Sequence, residues 1–174
     1  MKPTVCALAA AGSFALLSSI AQAQNVTDPQ IASIVVTANQ VDIDAGKLAE
    51  SQASSAEVKA FGRQMATDHT GVNKQAGALV TKLKVTPEPN DTSKSLKQGG
   101  DANVASLKTL SGAAFDRAYV DHEVAYHQQV IDALDKTLVP SAQNAELKAL
   151  LVKVRPAFVA HLEHAKALQS SLAK

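Results

Sequence analysis

The sequence predicts an all-α protein built on four long helices. Hydrophobic residues make up 46% of the chain and aromatic residues only 3%, and alanine and unbranched side chains lose little conformational freedom in a helix. Four stretches repeat apolar residues at steps of three and four, the spacing of one helix face. Prolines and paired glycines fall between these stretches, where they favour turns.

Helix one is expected to begin near Asp28, because a proline follows at the first helical position. Its apolar stripe is formed by Ile31, Ile34, Val35, Ala38, Val41, Ala45, Leu48 and Ala49. The capping box Ser54-Ser55-Ala56-Glu57, of the form S-x-x-E, predicts the start of helix two. Only a few residues separate the two helices, so we expect them to pack antiparallel.

Helix two is expected to end before Pro87 and Pro89. Helix three is predicted from about Ala113 to Leu138, with Pro140 ending it, and helix four from about Ala142 to Ala173, with a kink at Pro156.

The connection between helices two and three is about 28 residues long, against the usual two to eight in bundles. Within it, Gly99-Gly100 is expected to interrupt any helix, and residues 101–110 are expected to form a short helix. One long crossover between two antiparallel pairs is the ferritin-like four-helix topology, which we favour. An up-down bundle with an irregular excursion is the alternative.

The first 23 residues have the features of a signal peptide. A positive start, Met1-Lys2-Pro3, precedes the apolar run Val5–Ile20 and the A-x-A signal Ala21-Gln22-Ala23. We therefore expect a single domain at residues 24–174, periplasmic or secreted. Cys6, the only cysteine, would be removed with this peptide, so the mature domain would have neither disulfides nor a cysteine-based zinc site.

Composition and motifs argue against several functions. The net charge is +1, with 17 basic and 16 acidic residues, so no basic excess indicates nucleic-acid binding. No segment after the signal peptide has the roughly 20 apolar residues of a membrane span. Neither a G-x-S-x-G elbow, an H-E-x-x-H motif nor a phosphate-binding glycine loop is present.

Polar residues on or beside the apolar stripes provide the candidate metal ligands. A helix turns about 100° per residue, and this count directs one or two such groups inward from each helix: Asp42, His69, Glu123, His127 and His161. Buried imidazole and carboxylate groups must meet one another, a water molecule or a cation. Together they suit iron, zinc or copper.

The expected heights along the helices divide this set. His69 and His127 each lie about 14 residues into their helices, with Asp42 and Glu123 within about a turn. Counted back from the turn near Pro140, His161 lies roughly 10 Å away. We therefore expect one site without His161, which would pair with Asp116 instead. The alternative is that these histidines are packed core residues bonded to carboxylates or carbonyls.

Three segments resemble a known family. They are the run from Phe61 to Asp68-His69, the stretch Phe115-Asp116-Arg117-Ala118-Tyr119-Val120 followed by His127, and Pro156 before His161-Leu162. They are similar to the exported bacterial family catalogued as domain of unknown function 4142. This resemblance implies a ferritin-like bundle in the cell envelope and no assigned activity. The positions that match are Asp68, His69, Asp116, Tyr119, His127 and His161.

The favoured function is a non-enzymatic envelope protein that binds a metal ion in stress response or metal handling. The alternative is a structural or interaction module that binds an envelope protein partner and no metal. A di-metal redox enzyme is less well supported, because di-iron bundles carry Glu-x-x-His on two helices. Here Glu123 and His127 are four residues apart, and helix two has Asp68-His69 instead.

Overall fold

The computed structural model describes residues 26–173, which contain five long α-helices and no strand. They are α1 (Asp28–Gln52), α2 (Ala56–Leu83), α3 (Asp91–Leu107), α4 (Gly112–Ala133) and α5 (Ala145–Leu172). The all-α prediction is therefore confirmed. The predicted signal peptide and Cys6 lie outside the described residues. No helix in the described part is both long and apolar enough to cross a membrane.

The first two helices begin close to the predicted positions, but each cap lies one residue from the predicted cap. Thr27 caps α1, and its side chain and that of Gln30 each accept the other's backbone N–H. At α2 the cap is Ser55, whose Oγ accepts a hydrogen bond from the Val58 N–H at 3.3 Å. Ser54 was the expected cap, but its backbone N–H and hydroxyl both bind Asp116 instead.

The predicted break at Gly99-Gly100 is wrong, because both glycines lie inside the 17-residue helix α3. Asn90 and Ser93 start this helix with a reciprocal cap. Gly100 then passes so close to α1 that a Cβ atom there would lie 2.5 Å from Cγ2 of Val41. The glycine therefore permits close packing of α3 on α1, a role that helix propensity does not reveal.

The turn between α4 and α5 comes later than predicted. A π-helical segment, Leu134–Leu138, and a single helical turn, Val139–Ser141, continue the chain after α4. Pro140 lies in that turn and does not end the helix. Asn144 caps α5 by accepting hydrogen bonds from two backbone N–H groups, so α5 begins at Ala145 rather than near Ala142.

Three pairs of the long helices pack antiparallel. In each of these pairs, the residue number rises along one helix as it falls along the other. The contacts are Asn39 with His69 and Val36 with Asn73 for α1 and α2, Asp121 with Gln169 for α4 and α5, continued by Asp135 of the π-helical segment with Arg155, and Gln75 with Lys153 and Gln64 with His164 for α2 and α5.

Two apolar clusters make up the core, with a polar layer between them. The first cluster includes Ile31, Ile34, Leu134, Leu151 and Phe158. The second includes Val58, Phe61, Met65, Phe115 and Ala165. Along α1, α2 and α4, the residues between these clusters are Asp42, His69, Glu123 and His127, and His161 lies near the same boundary on α5. All five are buried.

A pair of glycines sets the distance between α1 and α2 beside this layer. A Cβ atom at Gly46 would lie 2.6 Å from the Gly62 carbonyl oxygen, and one at Gly62 would lie 2.7 Å from the Gly46 carbonyl oxygen. Backbone atoms cannot move aside as a side chain can, so the two helices touch only because both positions lack a side chain.

Gly46→Ala should therefore lower the free energy of unfolding by about 1–3 kcal/mol, the usual cost of overpacking. Gly71→Ala in α2 is the matched control, because no atom lies within 4 Å of its added Cβ. The control should gain about 0.5–1 kcal/mol from helix propensity. Urea unfolding curves of the three proteins measure both effects, and equal midpoints for the two variants would contradict the close approach.

Candidate metal centre

Three histidines from three helices meet in the polar layer. His69 of α2, His127 of α4 and His161 of α5 each place one ring nitrogen within 4.8 Å of the other two. Their ring centroids are 5.3–5.6 Å apart, and each residue is at most 2% exposed. This places three imidazoles around one point in the protein interior.

The predicted separation of His161 from the other histidines is wrong. The sequence count placed it beside Tyr119, whereas the structure places it beside His127, eight residues further along α4. The cause is the late turn, because the π-helical segment and residues 139–144 extend the chain before α5 begins. Eight residues of helix correspond to about 12 Å, similar in size to the expected gap.

Asp116 does not pair with His161 as predicted. Its buried carboxylate accepts hydrogen bonds from the backbone N–H groups of Ser54 and Ser55, both at 2.8 Å, and from the Ser54 hydroxyl. Asp116 therefore fastens α4 to the turn between α1 and α2. Its role is structural, and it lies outside the histidine cluster.

The hydrogen bonds of Asn39 determine which nitrogen of His69 faces the cluster. Asn39 Nδ2 donates to the Val35 carbonyl oxygen at 2.8 Å, which leaves Asn39 Oδ1 to accept from His69 Nδ1 at 2.7 Å. His69 Nδ1 therefore carries the hydrogen. Nε2 keeps its lone pair and is buried without a hydrogen-bond partner.

In each of the other two histidines, one ring nitrogen is also hydrogen-bonded and the other has no partner. His127 Nδ1 donates to the Glu123 carbonyl oxygen at 3.1 Å, and its Nε2 is buried and unpartnered. His161 Nε2 lies 3.0 Å from Oδ2 of Asp68, and its Nδ1 is buried and unpartnered. Metal-binding histidines typically use one ring nitrogen for the metal and donate from the other to a carbonyl or carboxylate.

Two carboxylates complete the polar layer. Asp42 and Glu123 each place an oxygen within 4.8 Å of a ring nitrogen of His127 and of each other. Oδ1 of Asp42 and both side-chain oxygens of Glu123 are buried without a hydrogen-bond partner. Among the described residues, no lysine or arginine forms an ion pair with either one. The cationic or potentially cationic side chains nearest to them are histidines, His69 at 3.5 Å from Asp42 and His127 at 3.3 Å from Glu123.

Burial changes the acidity of Asp42 and of two of the histidines. Loss of water raises the pKa of Asp42 well above its usual range, and the neighbouring Glu123 raises it further. Burial lowers the pKa of His69, as do the nearby His127 and His161. The pKa of His161 is also lowered, mainly by burial, although its hydrogen bond to Asp68 opposes this. His69 and His161 are therefore held neutral, the form that binds metals.

The chemistry of this set fits a transition-metal ion. Three imidazoles and two carboxylates suit zinc, iron or copper. Nitrogen ligands at about 2.0–2.1 Å around tetrahedral zinc lie roughly 3.4 Å apart, within the 4.8 Å limit that the three ring nitrogens satisfy. All five predicted ligands thus lie in one polar layer, and metal binding by them stays a prediction.

Residues outside the predicted ligand set support these rings. The ring of Phe158 stacks on His69 with centroids 5.2 Å apart and planes 10° apart. Asn39 orients the same ring through its hydrogen bond with Nδ1. Sequence analysis did not identify Asn39. Its position three residues before Asp42, on the same helix face, was the signal that could have indicated it.

Replacement of Asp42 by asparagine should stabilise the metal-free protein. Because the folded-state pKa of Asp42 is raised, its protonation favours folding at acid pH, and this contribution is lost as pH rises through that pKa. Asp42→Asn removes the buried charge, so in chelator at pH 8 we expect a gain on the order of 1 kcal/mol or more, shrinking toward pH 4.

Asp44→Asn, an exposed position on the same helix, is the matched control and should change little. Thermal and urea unfolding at both pH values measure the difference. A metal-free Asp42→Asn protein that is less stable than the wild type at pH 8 would show that the Asp42 charge is balanced inside the fold.

Comparison with known proteins identifies the family of the chain. The family model described as a domain of unknown function (DUF4142) matches residues 15–168, nearly the whole chain. No curated protein and no solved structure shows a significant match. The resemblance predicted from the Phe115–Val120 segment and its downstream histidines is thereby confirmed. The chain belongs to the DUF4142 family.

Proposed function

We propose that this protein binds a transition-metal ion, zinc, iron or copper, through His69, His127 and His161. Asp42 and Glu123 would neutralise the ion and complete its coordination. The observation that carries the proposal is the arrangement of the three rings. Each ring has one nitrogen in a hydrogen bond and the other buried without a partner. One nitrogen of each ring also lies within 4.8 Å of a nitrogen of each of the other two.

The free-energy cost of burying unpartnered polar atoms supports a bound cation in the polar layer. A buried polar atom without a partner costs about 1–3 kcal/mol, and a charged one costs more. Three ring nitrogens and three carboxylate oxygens of the layer are in this condition. A cation held by the three histidines would serve their ring nitrogens directly, whereas the packed-histidine alternative leaves the rings to pair with the nearby carboxylates, at 3.5 Å for His69 with Asp42 and 3.3 Å for His127 with Glu123.

The ferritin-like arrangement is part of the same proposal. The antiparallel pairs α1 with α2 and α4 with α5 support a four-helix bundle, and α3 would then lie within the crossover from α2 to α4. Metal sites in such bundles are built in the core from side chains on facing helices. Here the candidate ligands come from α1, α2, α4 and α5.

We place the protein in the cell envelope, where it would take part in metal handling or the response to metal stress. The signal-peptide pattern of residues 1–23 supports export, and cleavage there would leave a chain without cysteine. Such a chain cannot form a thiolate site in an oxidising compartment, so histidine and carboxylate are the remaining strong ligands.

A second candidate function, a di-metal centre, rests on the second group of ligands. Asp42, Glu123 and His127 converge as a set of their own and share His127 with the histidine set. The stoichiometry distinguishes the two functions, since the favoured site takes one ion per chain and a di-metal centre takes two. Oxygen-dependent absorbance changes on addition of ferrous iron would favour the second candidate.

Metal titration of the untagged, chelator-treated protein tests the main proposal. Zinc, ferrous or cupric ion should bind at one per chain and raise the melting temperature, because a ligand that binds only the folded state stabilises it. His127→Gln and His161→Gln should each weaken binding by at least about 100-fold, and Asp68→Asn by about 10–100-fold.

His164→Gln is the matched control, since His164 lies on the same helix as His161 but is exposed and contacts Gln64. Asp116→Asn is the control for stability, and it should lower the melting temperature while metal affinity per folded molecule stays unchanged. No bound metal in any titration, with normal folding of both histidine variants, would favour the packed-histidine alternative.

Proton release gives an independent prediction. The metal-free protein keeps a proton on Asp42 above the usual range of an aspartate, and a cation would displace it. At a pH above the usual range of an aspartate and below the raised pKa of Asp42, the wild type should therefore release up to one proton more per bound metal than Asp42→Asn. Calorimetry in buffers of different ionisation enthalpy measures this number, and equal release by the two proteins would contradict a role for Asp42 at the site.

A further inference from the structure

An apolar cavity of about 180 Å³ lies against one side of the polar layer. Residues of α1, α4, α5 and the π-helical segment form most of its wall. The wall includes Asp42 and His69, which are buried, and Thr92, Gln129 and Thr137, which are exposed. The cavity therefore extends from the surface to the candidate metal ligands.

The polar groups of this wall are unevenly distributed. Asn39, Asp42 and His69 belong to the cluster, and the exposed threonines and glutamine belong to the surface, while the residues between them are aliphatic or aromatic. A water molecule needs two to four polar partners to be held in such a space. An apolar cavity of about 150 Å³ stays dry and takes up molecules such as benzene or xenon.

The π-helical segment is part of this wall. Leu134, Thr137 and Leu138 all line the cavity, and the Val139 N–H bonds to the carbonyl of Leu134, five residues back, to widen the turn. π-Helical turns are rare and are frequently found at functional sites. Protein interiors otherwise contain few voids larger than a water molecule, so a widened helix beside a cavity is an unusual combination.

We infer that the cavity binds a small, uncharged, largely apolar molecule and holds it against Asp42 and His69. The inference rests on the proposed function, because the molecule would then lie beside Asp42 and His69, two of the ligands proposed for the ion. The molecule would be of benzene size or smaller, to match the volume.

Benzene titrated into metal-free protein with labelled methyl groups is the first test. The methyl signals of Ile34, Val130 and Leu151 on the wall should shift and saturate, and the His69 ring signals should shift with them. The methyl signals of Val58 and Leu107, in the other apolar cluster, should stay unchanged. Absence of saturable shifts at the wall would overturn the inference.

Ala133→Leu should fill the cavity, since Ala133 is on its wall, and the saturable shifts should be lost. Ala160→Leu, at an exposed position of α5, is the matched control and should bind benzene as the wild type does. Both variants place a strong helix former in a helix, and both should keep the metal affinity of the wild type.

A comparison of cobalt-loaded with zinc-loaded protein tests how close the ligand lies to the ion. Paramagnetic cobalt should speed the relaxation of bound benzene protons relative to zinc, and equal relaxation would overturn the inference. If the protein takes up neither metal, the proposed metal function fails by itself. In that case the signals of the His69 ring in the metal-free protein test the inferred pocket. Unchanged His69 signals at saturating benzene would overturn the inference.

Discussion

The structure depends on a desolvated polar layer whose carboxylates pair with no lysine or arginine in the part of the chain that the structure describes. Asp42, Glu123 and three histidines lie between two apolar clusters, where polar groups cannot reach bulk water. Burying such groups is costly unless they are paired or bind a cation. Their convergence at one level is the observation on which the proposal of a bound cation rests.

Neighbouring interactions hold this layer in one arrangement. Asn39, the Glu123 carbonyl and Asp68 each bond to one nitrogen of a histidine, which fixes the ring and leaves its other nitrogen buried without a partner. The close contact of Gly46 with Gly62 brings α1 against α2 one turn from Asp42. Asp68, with 43% of its side chain exposed, connects the buried ring of His161 to the surface. Ligand orientation is thus prepared by residues that would not themselves touch a metal.

Most of the helical fold could be predicted because apolar periodicity is a local property. The stripes and caps located α1, α2, α4 and α5 to within a few residues. Helix α3 was mostly missed, because Gly99-Gly100 weakens a helix in isolation, and only the contact of Gly100 with Val41 shows why glycine is present. Similarly, Asp116 was predicted to pair with His161, but its carboxylate accepts hydrogen bonds from the backbone N–H groups of Ser54 and Ser55.

The sequence by itself determined the helical class, the family and the five polar residues that point inward, since a turn of about 100° per residue assigns each side chain to a face. Only the tertiary structure decided that His161 joins His69 and His127. Axial level depends on where the chain reverses, and the π-helical segment moved that reversal. The free nitrogens of His69 and His161 were decided by partners 30 and 93 residues away, at distances that no local pattern encodes.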